Sequence, residues 1–247
     1  MLSKSQISFV NALHQKKHRK EHGLFIAEGG KSVAEFTQSN YIIDTIFYTP
    51  EVSSKFINVS PKVKFQEVTE TELKKISTLT TPQDALAIIQ IPERTNISAG
   101  SFKGKFVLVL DGVQDPGNLG TIIRTADWFG ISDLLCSTNT VEAYNPKVVQ
   151  ASMGSLSRMN VYYEDLTHFL SSANAPVYAA LLNGKSLYET KFDNEGFIIL
   201  GNEGNGISAD VKKLKHNAIT IPSFGKAESL NVAISAAIIC SELKRNK

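Results

Sequence analysis

The stretch Phe106-Val-Leu-Val-Leu-Asp-Gly-Val-Gln-Asp-Pro-Gly-Asn-Leu-Gly-Thr-Ile-Ile-Arg124 decides how the carboxyl-terminal part of this chain is read. The apolar run Phe106 to Leu110 is short and bounded by turn residues, which suits a buried strand. It breaks into a Gly- and Asp-bearing turn, and a helical stretch follows at once. A strand feeding directly into a helix opens a crossover unit of a parallel sheet. The pattern recurs. Further candidate strands are Asp133–Cys136, Val177–Leu181, Phe197–Leu200 and Ala218–Ile221, and helices fit at Asn118–Phe129, after the Asn145-Pro146 cap, and at Leu230–Leu243. Gly130 is placed as the stop of the first of these helices. Residues 105–247 therefore read as one α/β domain with a mainly parallel sheet.

Upstream the texture changes. A basic helix at Ser5–Lys20, a helix after Gly30, a strand at Ile42–Tyr48 and a helix near Thr71–Ile76 suggest a separate small α/β domain over residues 1–92. Pro92–Gly104 carries Pro, Asn, Ser and two glycines with few large apolar residues, so residues 93–104 are expected to be a linker. The chain has 247 residues, 42% hydrophobic and 20% charged, an ordinary globular balance that leaves little room for long disorder. The longest apolar runs, Phe106–Leu110 and Ala236–Cys240, fall far short of the roughly 18 residues a membrane span needs. The first 30 residues lack the apolar core of a secretory signal, and a cytoplasmic location is the expectation. Cys136 and Cys240 are isolated, without metal-ligand or disulfide spacing, so no metal is expected and both read as buried small apolar residues.

The net charge of +2 is bland, but its distribution is not. The first 20 residues hold five basic side chains and no acidic one, whereas residues 101–247 balance 14 basic against 14 acidic groups. If RNA binds, Lys16, Lys17, Arg19 and Lys20 are candidate phosphate contacts. A solvated helix face is the competing reading of the same charges.

Three glycine-bearing turns carry the candidate chemistry. In the first, Gly112, Pro116, Gly117 and Gly120 allow a tight turn, Asn118 can present an amide, and Arg124 can reach back toward it along the helix. The second is Phe197-Ile-Ile-Leu-Gly-Asn-Glu-Gly-Asn-Gly-Ile207, where Glu203 among glycines can orient an arginine or a hydroxyl. The third is Ile219-Thr-Ile-Pro-Ser-Phe-Gly-Lys-Ala-Glu-Ser-Leu-Asn231, with Ser229 and Asn231 at the entrance to an almost wholly apolar helix. Singly, each has a plainer explanation: a capped helix with a surface arginine, a turn with a solvated acid, and an N-cap.

Together and in this order, the segments resemble the three signature motifs of the SpoU (TrmH-like) RNA 2'-O-ribose methyltransferases of the SPOUT superfamily. The resemblance rests on Asn118 with Arg124 six positions on, Gly201-Asn-Glu203-Gly, and Ile221-Pro through Ser229-Leu-Asn231-Val. Phe25-Ile-Ala-Glu-Gly29 followed by Ser32-Val-Ala-Glu35 also looks like the ribosomal-protein-like RNA-binding domain found ahead of such catalytic domains. The resemblance implies a SPOUT-type α/β fold with a deep carboxyl-terminal trefoil knot, a feature that no periodicity reveals and that general topology argues against. It implies S-adenosylmethionine as methyl donor, touched by Leu200, Gly201, Asn202, Gly204, Ile221, Ser229 and Leu230. It implies a catalytic group of Asn118, Arg124, Glu203, Ser229 and Asn231, a homodimer that could share the site, and an RNA substrate, with ribosomal RNA ranked ahead of transfer RNA.

The family's usual proposal makes Arg124 the base. A guanidinium stays protonated in proteins, so Arg124 is instead read as an RNA-phosphate contact that stabilises developing alkoxide charge, oriented by Glu203. Two other classes compete. An RNA-binding module with a vestigial donor pocket would have lost motif residues that are all present here. An NAD-dependent dehydrogenase would place its glycines at the first strand-helix turn, with an acid some 20 residues on.

Overall fold

Two sheets divide the chain in this computed structural model, which describes residues 1–52, 61–82, 84–93 and 96–245. The first compact unit comprises Met1–Glu93 and Glu142–Ser157; the second comprises Arg94–Val141 and Arg158–Lys247.

The first unit runs α1 (Lys4–Leu13), α2 (Lys16–His22), β1 (Leu24–Glu28), α3 (Gly30–Thr37), β2 (Ile43–Tyr48), β3 (Lys64–Glu67), α4 (Glu70–Ile76) and β4 (Ala85–Gln90). Its sheet has the order β1-β4-β2-β3, with β4 antiparallel to both neighbours and β2 parallel to β3. Val10 and Leu13 of α1, Leu73 and Ile76 of α4, and Ile26, Phe47, Leu86 and Ile88 of the sheet form its core. Ser3 and Thr69 close capping boxes with Gln6 and Glu72, which marks both helix starts locally. The single basic helix expected over Ser5–Lys20 is two helices, because Gln15 is extended between them.

The second unit runs β5 (Phe106–Asp111), α5 (Pro116–Trp128) and β6 (Asp133–Ser137), and resumes with β7 (Asn160–Glu164) and α7 (Leu166–Ser171). It then continues through β8 (Val177–Ser186), β9 (Gly196–Gly201), α8 (Ala209–Lys212), β10 (Asn217–Thr220) and α9 (Val232–Arg245). Its six strands are all parallel, in the order β10-β8-β9-β5-β6-β7. Strands covered on both faces read as unbroken apolar runs, and β5, β6 and β9 do so. The edge strand β7, half exposed and flanked by Asn and Glu, carries no such run.

Part of the expected linker belongs to this unit's core. Residues 94 and 95 lie outside the described residues, but Phe102 is only 4% exposed and its ring packs against Tyr162, Phe169 and Phe197. Both cysteines are buried, and burial pushes the Cys240 thiol up to about 12. Among the described residues no helix is long and apolar enough to cross a membrane.

Asp133 ties the amino ends of β5, β6 and β7 together, receiving Lys105 at 3.1 Å, Ser132 at 2.7 Å and Asn160 at 2.9 Å. Burial alone would raise its carboxyl, but these donors outweigh burial and hold it below the ordinary carboxylate range. A carboxyl depressed in the folded state adds stability above its unfolded pKa of about 3.9 and loses it as pH falls through the folded value. Asp133→Asn should therefore be less stable than the native chain at neutral pH. Urea unfolding at a series of pH values should show that gap narrowing below about pH 4.

The interrupted segment departs from expectation. Glu142–Ser157, which includes α6 (Pro146–Ala151), was expected within the second domain but groups with the first unit. Its partners lie over a hundred residues upstream, where periodicity does not reach. The Tyr144 ring lies 4.8 Å from Phe25, and its hydroxyl is 3.4 Å from that of Tyr41. Gly154, at φ 90°, leaves room for α3: a Cβ there would lie 2.7 Å from the Cγ of Glu35. Arg19, only 2% exposed, donates its Nε to Glu142 at 2.6 Å and its Nη1 to the carbonyls of Leu13 and His14 at 3.0 and 2.8 Å. Those are carbonyls at the end of α1, which a cation satisfies well. Removing one partner of a buried pair strands the other, so Glu142→Ala should destabilise this unit by about 3 kcal/mol. Urea unfolding checks this against Lys16→Ala, which removes a 73% exposed side chain and should cost under about 0.5 kcal/mol.

Candidate active site

The loops after β5, β9 and β10 all leave carboxyl ends of parallel strands, so they gather along one edge of the sheet. β5 and β9 are neighbours, with Asp111 opposite Gly201. The winding also reverses there: β6 and β7 lie beyond β5, while β8 and β10 lie beyond β9. Such a switch point is where open α/β sheets take ligands.

Side chains stitch the first two turns together. Asp111, 6% exposed, accepts the Ser208 N–H at 2.7 Å, and Asn202 donates its Nδ2 to the Gly112 carbonyl at 2.7 Å. The Asn202 Oδ1 accepts the N–H groups of Gly204 and Asn205 at 2.9 and 3.0 Å, so it folds its own turn. Gly201 is obligatory: a Cβ there would lie 2.2 Å from the carbonyl carbon of Gly206.

The third turn joins through Asn118. Helix α5 starts two residues before the expected Asn118, and Asp115 is its cap, accepting the Asn118 N–H at 2.7 Å. The Asn118 carboxamide is thereby released from capping. Its Nδ2 donates to Glu203 Oε1 at 2.9 Å, and its Oδ1 accepts Asn231 Nδ2 at 2.9 Å. Asn231 in turn accepts the Ala233 N–H at 2.8 Å and caps α9. Glu203 also receives the Asp115 N–H at 3.4 Å and Asn202 Nδ2 at 3.3 Å. A continuous hydrogen-bonded line, Glu203 to Asn118 to Asn231, thus crosses all three turns.

Beside this line lies a cleft of about 910 Å³. Leu200, Gly201, Asn202, Gly204, Ile221, Ser229 and Leu230, the residues expected around a methyl donor, all line it, as does Glu203.

The chain matches the SpoU rRNA Methylase family over residues 105–241 and the MRM3-like substrate binding domain over residues 4–87.
The chain belongs to the SpoU rRNA methylase family.
It is 32% identical over 236 residues, 94% of this chain and 93% of the relative, to the 23S rRNA (guanosine(2553)-2'-O)-methyltransferase RlmP of Bacillus subtilis. Among solved structures it is similar to a protein assigned to the TrmH family of RNA methyltransferases from Porphyromonas gingivalis, at 39% identity and TM-score 0.89 with 100% of both chains covered. It is likewise similar to an AdoMet-bound rRNA methyltransferase from Sinorhizobium meliloti, at 28% identity and TM-score 0.86, covering 100% of this chain and 97% of that one. The α/β fold with a mainly parallel sheet is that of SpoU/TrmH structures.

Not every SpoU motif residue sits where expected. Arg124 is exposed on α5 and makes no hydrogen bond or ion pair among the described residues, so neither its reach toward Asn118 nor its pairing with Glu203 occurs in the single chain. Glu203 is instead taken up by Asn118. Ser229 is exposed at the cleft and likewise has no hydrogen bond among the described residues. Of the four basic residues, Lys16, Lys17 and Lys20 are exposed, whereas Arg19 is buried against Glu142 and leaves the set of RNA contacts. His18, Glu21 and His22 bring ligand-type atoms within 4.8 Å of one another, but on the same short helix as Lys16, Lys17 and Lys20, whose charges oppose a cation.

Sequence reasoning missed the wall formed by Leu181, Leu182 and Asn183, since β8 was expected to end at Leu181 and runs on to Ser186. Gly184 was the signal, because a Cβ there would lie 2.7 Å from the backbone of Ala218. Phe224 was missed as well, being surrounded by loop residues.

Asn231→Ala should cost about 1 kcal/mol through the lost cap. In a double-mutant cycle with Asn118→Ala, followed by urea unfolding, the pair should couple by about 0.5–1.5 kcal/mol, the net worth of one hydrogen bond. Strict additivity would remove the line across the turns.

Proposed function

We infer that the chain transfers a methyl group from S-adenosylmethionine to a ribose 2'-hydroxyl of RNA. The observation that carries this reading is the meeting of three motif turns at one cleft, with Glu203, Asn118 and Asn231 in a single hydrogen-bonded line. The cleft suits such a donor: Leu200, Ile221 and Leu230 offer an apolar wall for a purine, and the Gly201–Gly204 turn brings backbone groups close. S-adenosylmethionine supplies an electrophilic methyl group. The protein's own task is to hold the ribose hydroxyl in line and to manage its proton.

Ser229, whose hydroxyl lies at the cleft and has no hydrogen bond among the described residues, is the group to orient the ribose. Glu203 and Asn118 keep the turns in register. Arg124, a permanent cation without an ion pair among the described residues, binds the RNA phosphate and stabilises the alkoxide as it develops, while the proton leaves through phosphate or water. Lys16, Lys17 and Lys20 hold the RNA backbone. The relationship to ribosomal RNA methyltransferases supports ribosomal RNA as substrate, modified in the cytoplasm.

A homodimer completes this reading. Trp128 on α5 is 85% exposed, and Ile234 on α9 and Leu230 just before it are 52% and 49% exposed. Helices α5 and α9 pack together, and Arg124 shares α5 with Trp128. A second copy covering this apolar surface would bring Arg124 to a shared site.

The test uses purified protein, tritiated donor and ribosomal RNA from a strain lacking the gene. Alkaline hydrolysis should leave a labelled, resistant dinucleotide. Calorimetry should show binding of S-adenosylhomocysteine and none of NAD. Arg124→Ala should lower turnover by on the order of a hundredfold with donor affinity unchanged. Donor binding without transfer to any RNA would leave a binding module instead of an enzyme.

A further inference from the structure

Phe224 is 95% exposed although it lines the cleft. Apolar rings are ordinarily covered, and the neighbouring cleft residues Leu200 and Ile219 are each 1% exposed. The ring stands between Pro222-Ser223 and Gly225, and a Cβ at Gly225 would meet nothing within 4 Å. Lys226, two residues on, is exposed and has no ion pair among the described residues. An uncovered aromatic ring at the cleft and an exposed cation two residues on thus share one loop.

In single-stranded loops and bulges of RNA, a nucleotide presented to a protein cleft is commonly splayed out of the surrounding stack. The freed base then needs a new partner face. An aromatic ring supplies one without hydrogen-bonding atoms, so it accepts any base. We propose that Phe224 is the platform on which the nucleobase of the target nucleotide stacks, with Lys226 meeting the adjoining phosphate. This rests on the reading of the chain as an RNA ribose methyltransferase. It assigns Phe224 to holding the nucleotide, and leaves the choice of base to other contacts.

The experiment compares the full chain with Phe224→Ala, Phe224→Leu and Phe224→Trp, using the same labelled donor and gene-deleted ribosomal RNA. Phe224→Ala should lower kcat/KM for RNA by about 10- to 100-fold, the range that loss of one base–aromatic stack gives. Phe224→Leu, which keeps bulk but not a π-face, should fall nearly as far, and Phe224→Trp should match or exceed the native chain. Affinity for S-adenosylhomocysteine and the mass in sedimentation should not change. The proposal is overturned if Leu restores kcat/KM or if Ala leaves it intact. A weakened donor affinity would make Phe224 a cap on the donor instead, and a lower mass would make it a subunit contact. If the native chain methylates no RNA, the functional reading fails first and takes the stacking role with it. A native chain that methylates RNA unaided by Phe224 isolates the failure to this residue.

Discussion

The Asn118 carboxamide is the joint of the catalytic unit. Its nitrogen reaches Glu203 and its oxygen reaches Asn231, so each end of one side chain is committed to a different turn. A carboxamide can serve this way only if the backbone does not claim it. Asp115 removes that claim by capping α5 itself. Replacing Asn118 would break both bonds at once, whereas replacing Glu203 or Asn231 would break one and leave the other correctly matched.

The line depends in turn on strand register. Asp111 and Gly201 stand opposite each other at the ends of β5 and β9, so the loops that follow start side by side. Gly201 then lets the second turn fold back on itself, and Gly184 lets β10 approach the far half of β8. At both positions missing side-chain volume is what brings backbone close to backbone. The cleft wall from β8 exists because β10 changes register at Ala218 and continues alongside Lys185 and Ser186.

Much of this was legible in the chain and some was not, for separable reasons. Central strands declared themselves as apolar runs and one helix start as Asn145-Pro146, because these signals are local, whereas the equally local Asp115-Pro116 start of α5 was passed over for Asn118. The three motif turns were picked out through resemblance, and the seven residues expected around a donor line one cleft. β4 was missed although Ala85–Gln90 is an apolar run of the same kind as that of β5, since no helix-strand alternation around it drew attention to it. β7 was missed because its edge position lets Asn160 and Glu164 flank it. Arg19 was misread because a charge run looks the same whether each member faces water or not; only the distant Glu142 and the end of α1 distinguish it from Lys16, Lys17 and Lys20. Arg124 presents the opposite case, a residue identified by pattern that makes no hydrogen bond or ion pair among the described residues.

The membership of Glu142–Ser157 in the first unit bears on how this architecture can be taken apart. Severing the polypeptide after residue 93 would not release a finished amino-terminal module. It would strip the cover from Phe25 and leave the Arg19 guanidinium without its carboxylate. Since the chain passes from one unit to the other and back, neither half can be exchanged by a single crossover between genes. Recombination that preserved both cores would have to carry the inserted hairpin of sequence along with the amino-terminal part, so the two are constrained to change as one heritable block.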